Sequence, residues 1–503
     1  MSERVNVRSH STTMALARAF IESGWSVHII IYALDTLASP ASVPPGILEK
    51  EREREFNALL EEFYSADPRR YEDIVERSRR VINFFLDEYL DEAGIEKDLV
   101  EIYILPGTGR WKLRNPQAAD KPYNYIGSPL NMQALLEIHL AERLQQLRPD
   151  ALVLDISHGI NYMPALSLRV LERLLVFHTA LRGEPISVAV MQSDPVSDDD
   201  QESLIHVVEA GRVGYSIHDA LEYFVGPLPS AAGEIHGYRM LGRSKPPEAL
   251  RRLRIDLRRA LEEYWAPLKA LMASNRHGLA LYALHVLSEV EPTALKAELE
   301  SLKDSMRGAL RYREVHIENG IVVLQPYVII PGESLNVFYA LELLEALASL
   351  EELKPRAIGA YRMFSLSSLR RYLERIRPPE PSRAIAEKEI DDVEARTRWF
   401  LELLEAEPSL LSKPTSYSTV YAVLEEKAYE ALRAREDILK GVGENQEKLE
   451  KGAGGSCSID KRNFYAHAGM ERNALAVILG GEGVYVGYHP HCLDSVKAIA
   501  SKL

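Results

Sequence analysis

One segment near the C-terminus groups side chains that could hold a phosphate and move a proton. Residues 460–469 read Asp-Lys-Arg-Asn-Phe-Tyr-Ala-His-Ala-Gly. Asp460 is suited to cap a helix N-terminus, where Arg462 would add a permanent cation for an anion. Asn463 and His467 are four residues apart and would share a helix face, and histidine exchanges protons near pH 7. Because RNA carries its own nucleophile, the 2′-hydroxyl, these side chains could support its cleavage without a metal.

An ordinary helix start with an exposed histidine is the simplest alternative for this segment, because Arg and His five residues apart are common by chance. The full string is more specific. Arg-Asn-Phe-Tyr-Ala-His-Ala-Gly resembles the R-N-F-x-A-H-A-G form of the HEPN ribonuclease motif, found in the CARF–HEPN effectors of type III CRISPR systems. The resemblance implies that Arg462 and His467 are catalytic and that Asn463 assists. It also implies a homodimer, or a higher even oligomer, in which two motifs form one composite site.

A second polar segment follows a predicted strand at residues 151–155. It reads Ile-Ser-His-Gly-Ile-Asn-Tyr-Met-Pro over residues 156–164, and Pro164 suits the first turn of a helix. The polar residues therefore occupy a loop at the carboxyl end of a strand, where open α/β sheets bind ligands. Pro-Gly-Thr-Gly at residues 106–109 follows another strand and should open onto the same edge. For either loop alone, a purely structural turn is the alternative.

The string at residues 155–164 resembles the D-x-[ST]-H-G-x-N motif of CARF domains, and residues 35–37, 106–109 and 192–195 correspond to other loops of that family. The resemblance implies an allosteric activator, a cyclic oligoadenylate and most often the tetra-adenylate, bound across a CARF dimer. The expected ligand-binding residues are Ser157, His158, Gly159, Asn161, Gly107, Thr108 and Gly109. Residues 5–13 resemble the segment after the first CARF strand, so that strand is expected to be truncated, missing or remodelled.

Hydrophobic patterning predicts an α/β N-terminal domain over residues 1–214. Continuous apolar runs, typical of strands buried on both faces, occur at residues 27–32, 99–105, 151–155 and 186–191. Helical patterns between them cover residues 48–63, 71–89, 132–147 and 164–181. This alternation predicts a doubly wound, mostly parallel sheet, which is the Rossmann-like arrangement of CARF domains.

The rest of the chain reads mainly helical. Residues 215–381 are predicted to form a helical linker domain, in which a β-hairpin turns at Asn319-Gly320 and suggests a winged-helix-like module. Prolines at 378, 379 and 381 predict a linker. Residues 382–503 are predicted to be an all-α HEPN domain with helices at residues 385–404, 419–439 and 461–479. The last helix is expected to end at Gly480-Gly481, before a short strand at residues 484–488.

The bulk composition limits the classes of function. With 503 residues, 46% hydrophobic and 27% charged, the chain should form about three globular domains. A net charge of −14 argues against stable binding of extended duplexes, but leaves room for a local basic cleft. No secretion signal or membrane-length apolar run is apparent, and two cysteines could form at most one disulfide. These features predict a cytoplasmic protein without a membrane partner.

Two further groups have competing interpretations. His489, His491 and Cys492, with Cys457, could suggest zinc, but three ligands within four residues cannot easily surround one ion, so an exposed turn is favoured and no metal or cofactor is expected. The second group could hold RNA backbone, although acidic neighbours favour a salt-linked surface. It comprises Arg251, Arg252, Arg254, Arg258 and Arg259.

The sequence therefore predicts a cyclic oligoadenylate-activated, metal-independent endoribonuclease that cuts single-stranded RNA in type III CRISPR antiviral defence. The alternative from another class is a ligand-responsive transcription regulator that uses the central hairpin on DNA and has no nuclease activity. A further alternative is that the N-terminal domain degrades its own activator, assisted by Ser157 and His158.

Overall fold

The structure is a computed structural model that describes most of the chain. The described residues are 9–40, 50–115, 119–157, 159, 162–194, 203–228, 239–240, 248–330, 332–403, 411–426, 457–480 and 483–502. Some predictions concern residues outside these ranges. They include the first strand before residue 9, the helix beyond residue 426, Pro195 at the end of the loop at residues 192–195, and the ligand-binding candidates His158 and Asn161.

The N-terminal region alternates strands and helices, as predicted. Its elements are α1 (Thr12–Glu22), β1 (Ile29–Leu34), α2 (Lys50–Ser65), α3 (Tyr71–Ala93), β2 (Val100–Leu105), β3 (Gly109–Leu113), β4 (Lys121–Tyr125), α4 (Pro129–Leu147), β5 (Ala151–Asp155), α5 (Tyr162–Arg182), β6 (Ile186–Ser193) and β7 (Ile205–Val213). β1 pairs in parallel with β2, and β5 with β6, whereas β7 runs antiparallel to β6. The mixed α/β class with parallel strands is thereby confirmed.

Local sequence signals explain where the helices beside the candidate loops begin. Ser11 caps α1, because its side chain accepts a hydrogen bond from the Met14 backbone N–H. Ser128 caps α4 in the same way, and Pro129 occupies the first turn, where its missing N–H costs nothing. α1 therefore starts at Thr12, which brings two threonine hydroxyls to the end of β5.

The middle region is mainly helical. Its elements are α6 (Ile217–Phe224), β8 (Arg239–Met240), α7 (Glu248–Arg276), α8 (Ala280–Leu287), α9 (Pro292–Arg311), β9 (Arg313–Glu318), β10 (Ile321–Pro326), β11 (Val328–Ile329), α10 (Asn336–Ala348), β12 (Arg356–Ile358), β13 (Tyr361–Ser365) and α11 (Leu366–Ile376). Leu253, Leu257 and Leu261 recur at helical spacing in α7 and are all buried. The apolar face predicted from the sequence is therefore the face that packs into the core.

The β9–β10 hairpin does not form the winged-helix-like module expected from the sequence. β9 and β10 pair antiparallel around Asn319 and Gly320, both with positive φ, as the Asn-Gly turn predicts. β10 also pairs in parallel with β4, so the hairpin extends a four-stranded sheet in the order β3-β4-β10-β9. Val322 and Leu324 pack in one buried cluster with tyrosines of β4. The hairpin is thus part of a sheet with the N-terminal region, because β4 offers a strand edge that the sequence patterns did not reveal.

The C-terminal region combines helices with strands. Its elements are α12 (Glu380–Leu403), β14 (Thr415–Ser416), α13 (Tyr417–Glu426), α14 (Lys461–Ala466), β15 (Leu475–Gly480), β16 (Gly483–Tyr488) and α15 (Leu493–Ala500). The prediction of a helix over residues 461–479 was wrong. α14 ends at Ala466, and the apolar run Leu-Ala-Val-Ile-Leu forms β15. A short apolar run fits a buried strand as well as a helix, and here pairing with β16 decides the outcome.

One sheet crosses the boundary predicted at residue 381. Its order is β12-β13-β16-β15-β14, and Phe364 of β13 lies opposite Val486 of β16. A single hydrophobic cluster also extends from Leu34 to Ala500 and includes residues of all three regions. The HEPN-like segment therefore folds against strands that precede it in the chain, and the domain limits 1–214, 215–381 and 382–503 stay a prediction.

Candidate functional site

The candidate catalytic residues lie on the short helix α14. The Asp460 carboxylate accepts a hydrogen bond from the Asn463 backbone N–H over 2.9 Å, which caps the helix as predicted. Phe464 is fully buried and anchors the helix, whereas Arg462, Asn463 and His467 are exposed. One helix turn therefore presents a guanidinium, an amide and an imidazole to solvent from a fixed backbone.

α14 ends at Ala466 with His467 as its C-terminal cap, because the next two residues turn the chain. Ala468 and Gly469 have φ angles of 48° and 80°, in the left-handed region that favours glycine. The Tyr488 hydroxyl donates a hydrogen bond to the Gly469 carbonyl over 3.0 Å, and a Cβ at position 469 would lie 3.1 Å from that hydroxyl oxygen. Ala468 and Gly469, which close the motif, therefore fix the direction that the chain takes after α14 and His467.

A carboxylate from another helix contacts the imidazole. Glu389 Oε2, on α12, lies 3.1 Å from His467 Nδ1. The Glu389 side chain is 12% exposed, whereas that of His467 is 48% exposed. Glu389 belongs to no motif that the sequence shows, because no local spacing connects it with residues 460–469.

Two arginine side chains contact one tyrosine ring in the same region. The guanidinium carbon of Arg396 lies 4.5 Å from the ring centre of Tyr421, and that of Arg472 lies 4.9 Å from the same ring. Arg396 is on α12, and Arg472 lies three residues after Gly469, the last residue of the motif. Guanidinium groups and aromatic rings are the groups that handle phosphates and bases of single-stranded nucleic acid. The sequence analysis did not single out these three residues.

The expectation of an exposed turn at residues 489–492 was wrong in part. His491 is exposed, but His489 and Cys492 are buried, because the chain after β16 packs against the core. Cys492 forms a disulfide with Cys457, just ahead of the motif. Burial lowers the pKa of His489 to about 4. Among the residues that the structure describes, no three His, Cys, Asp or Glu side chains are placed to hold a metal ion.

Asp155 organises the loop that follows β5. Its Oδ2 accepts hydrogen bonds from the hydroxyls of Thr12 and Thr13, at 2.8 and 2.7 Å. Its Oδ1 accepts from the Ser157 backbone N–H and hydroxyl. Burial pushes the pKa of Asp155 up, but these hydrogen bonds outweigh it and lower that pKa. The Ser157 hydroxyl also accepts a hydrogen bond from the Ser193 N–H, so Asp155 holds three chain segments together.

A buried ion pair fixes the loop at residues 106–109. Arg313 Nη1, from β9, donates to Asp35 Oδ2 over 3.0 Å, and both side chains are fully buried. Asp35 Oδ1 accepts the Gly107 N–H over 2.6 Å, and Arg313 also donates to the Gly107 carbonyl. Burial raises the pKa of Asp35, whereas Arg313 and the Gly107 N–H act in the opposite direction. Arg313 lies outside every motif found in the sequence.

The structure separates the predicted ligand-binding residues into groups. Gly107 is buried, and both of its backbone polar groups have partners, so Thr108 and Gly109 form the accessible part of that loop. Gly159 is exposed with a φ of 128°. His158 and Asn161 lie outside the described residues. Burial raises the pKa of Tyr162 at the start of α5, and nearby Thr108 opposes that shift, although β2 and β5 lie in different sheets.

The arginine-rich face of α7 pairs with acidic side chains, as the favoured interpretation required. Arg258 contacts Glu262 over 2.8 Å, and Arg259 contacts Glu298 over 3.2 Å. The side chain of Arg254 lies outside the described residues. The paired arginines are held by carboxylates on their own and a neighbouring helix, and RNA is not needed to explain them.

The fold and the site define a class: an α/β domain with polar loops at a sheet edge, joined to a region with an exposed Arg-His motif. The family described as "CRISPR system endoribonuclease Csx1, CARF domain" matches residues 2–195, and its HEPN domain matches residues 380–490. The chain belongs to the CARF–HEPN family of CRISPR-associated proteins.

A curated protein of Methanocaldococcus jannaschii, described as "CRISPR system endoribonuclease Csx1", is 29% identical over 153 residues. The aligned part covers 30% of this chain and 30% of that relative. The two proteins can therefore be compared over less than a third of either length. In the described part of the chain, no helix is both long and apolar enough to cross a bilayer.

Proposed function

We propose that this protein is an endoribonuclease that a cyclic oligoadenylate activates and that cuts single-stranded RNA in type III CRISPR antiviral defence. The observation that carries the proposal is the exposed set of Arg462, Asn463 and His467 on one capped turn. The match of residues 380–490 to the HEPN domain of an endoribonuclease family supports it. The proposed substrate, RNA inside the cell, would place the protein in the cytoplasm.

The chemistry follows from the substrate and these side chains. The 2′-oxygen attacks the adjacent phosphorus while an imidazole accepts its proton, and the P–O5′ bond breaks as the 5′-oxygen takes up a proton. Arg462 stabilises the additional negative charge on the phosphate, and Asn463 orients it. The products carry a 2′,3′-cyclic phosphate and a 5′-hydroxyl. Every group in this scheme comes from the protein or the RNA, so no metal ion is required.

A composite site from two protomers would supply both an accepting and a donating imidazole. His467 is half exposed on its own protomer, which leaves room for a second copy and a ribose-phosphate link between them. A two-fold arrangement also suits an activator ring with internal rotational symmetry. We therefore propose a homodimer, or a higher even oligomer, as the active form.

The activator would bind at the loops after β2 and β5, and the tetra-adenylate is the ring we expect. Thr108, Gly109 and Gly159 offer accessible groups there, and His158 and Asn161 belong to the same loop by sequence. A ligand that binds one dimer arrangement more tightly shifts the population towards it. Activation then means that the two α14 helices meet more often. A regulator that uses the hairpin as a free wing gains no support, because β10 is paired on both sides.

The decisive experiment is cleavage of a labelled single-stranded RNA with no activator, with the cyclic tetra-adenylate, or with the cyclic hexa-adenylate. We expect activator-dependent cleavage that persists in EDTA. We expect His467→Ala to abolish cleavage, a loss of at least about 100-fold, because general acid–base catalysis supplies that much. The matched control is His491→Ala, which removes another exposed histidine of the same region and should retain wild-type activity.

Activator binding gives the second readout. His467→Ala should bind the cyclic oligoadenylate as the wild type does in calorimetry, since its loops are unchanged. Undiminished cleavage by His467→Ala would refute the catalytic assignment. Loss of cleavage on removal of metal ions, with restoration by a divalent cation, would show that the chemistry is different.

A further inference from the structure

Glu389 stands out because it is a nearly enclosed carboxylate beside an accessible imidazole. Its side chain is 12% exposed, and its Oε2 lies 3.1 Å from His467 Nδ1. Ala386 and Val393, about one turn from Glu389 on either side, and the adjacent Ile390 are completely or almost completely buried. The helix that carries Glu389 is thus fixed against the core on the same face.

The charged surroundings of this pair come from three elements. On α12, Lys388 Nζ lies 4.0 Å from the other Glu389 oxygen, and Arg396 lies further along the helix. From α13, Tyr417 faces the pair, and burial together with Glu389 raises its pKa to about 12. The third group is Glu471, in the turn after α14. Burial raises the pKa of Glu471, whereas Arg472 and His467 act in the opposite direction. Of these groups, Glu389 is the one in ion-pair contact with the imidazole of His467.

We propose that Glu389 is a positioning residue for His467. This inference rests on the proposed function of the same site. The carboxylate holds the proton on Nδ1 and so leaves Nε2 free to accept a proton from the 2′-hydroxyl. When the imidazole becomes protonated during the reaction, the same carboxylate stabilises it.

General chemistry explains why a carboxylate suits this position. The two ring nitrogens of histidine are distinct, and the partner of one decides the protonation of the other. A buried acid that orients a histidine increases its efficiency as a base without taking its proton. A surface ion pair made for stability alone would contribute little, and its acid would not need to be buried. The low exposure of Glu389, compared with that of His467, favours the positioning role.

The test compares Glu389→Gln with Glu387→Gln, a matched control on the same helix. Glu387 is 44% exposed and pairs with Arg383, away from His467. In activated RNA cleavage we expect Glu389→Gln to lower kcat about tenfold, with KM changed less than twofold. The conservative variant Glu389→Asp keeps the carboxylate and should restore kcat.

Two outcomes would overturn the proposal. One is a wild-type kcat in Glu389→Gln. The other is a loss of kcat in proportion to a lower melting temperature, which Glu389→Asp does not restore; that is what a merely structural residue gives.

A measurement on the protein in the absence of RNA separates this inference from the proposed function. In full-length protein with ¹⁵N-labelled histidine, the His467 signals are assigned by their absence from His467→Ala. The share of the Nδ1–H tautomer should fall in Glu389→Ala. If the wild type cuts no RNA, the proposed function fails while this spectrum still tests Glu389, and an unchanged tautomer overturns the positioning role.

Discussion

Removal of the Arg313 guanidinium should destabilise the N-terminal region strongly. In Arg313→Met, the fully buried Asp35 carboxylate loses its cation at 3.0 Å, and the Gly107 carbonyl loses a donor. Breaking a buried ion pair from one side costs about 3–5 kcal/mol. An acceptor left unsatisfied costs about 1–3 kcal/mol more, so a total loss of about 4–8 kcal/mol is expected.

The defect should depend on pH in a defined direction. Burial already raises the pKa of Asp35, and loss of Arg313 leaves that effect less opposed. In the variant, the folded protein therefore holds a proton on Asp35 at pH values where the unfolded chain has released it. Stability falls as pH rises wherever the unfolded state binds fewer protons. The difference in stability between Arg313→Met and the wild type should consequently be larger at pH 8 than at pH 5.

Scanning calorimetry at several pH values measures this, and the unfolding transition of the N-terminal region should move to lower temperature. Arg110→Met is the matched control, because Arg110 is exposed on β3 of the same sheet, and it should change stability by less than about 0.5 kcal/mol. In Asp35→Asn with Arg313→Met, no buried charge is left, so most of the loss should be recovered. A single Arg313→Met variant as stable as the control, or more stable at pH 8 than at pH 5, would refute the reasoning.

Two further predictions concern the candidate sites. Asp155→Ala removes the acceptor shared by Thr12, Thr13 and Ser157, so cyclic oligoadenylate affinity in calorimetry should fall about tenfold, while Asp150→Ala, an exposed control, should bind normally. Equal affinities would show that the loop does not need Asp155. Gly469→Ala strains a φ of 80° beside the Tyr488 hydroxyl and should cost about 1–3 kcal/mol and lower cleavage, whereas Gly359→Ala, with a positive φ in open space, should cost less. Full activity and stability in Gly469→Ala would contradict the role of that turn.

The strands of the N-terminal region could be predicted because each is a run of consecutive apolar residues. Ala-Leu-Val-Leu-Asp at residues 151–155 is bounded by Pro149-Asp150 and by a polar loop, and it forms β5 over that range. A short apolar run between helices was enough to indicate the strand. The burial on both faces that the run suggested was wrong, because β5 is only partly buried and Val153 is 41% exposed. The Asn-Gly turn of the β9–β10 hairpin was equally local, since its positive φ angles suit those two residues.

The strands that failed to show in the sequence depend on distant partners. β4 contains Lys121, Pro122 and Asn124, a composition that argues against a strand, yet it pairs with β3 on one side and β10 on the other. The sheet is therefore decided by tertiary pairing, which overrides local propensity. The same applies to β15, whose apolar run suits a helix until β16 is beside it.

The residues of the candidate catalytic site also divide into those with local roles and those that depend on distant parts of the chain. Within the motif, each residue acts on its immediate neighbours: Asp460 caps, Phe464 anchors, and Gly469 turns the chain away from His467. Such roles need only a few residues of context, so the string that encodes them is recognisable on its own. Glu389 acts on His467 from another helix, and its position depends on how α12 packs. A motif can thus name the reacting side chains, whereas the group that sets the state of the imidazole is visible only after the chain has folded.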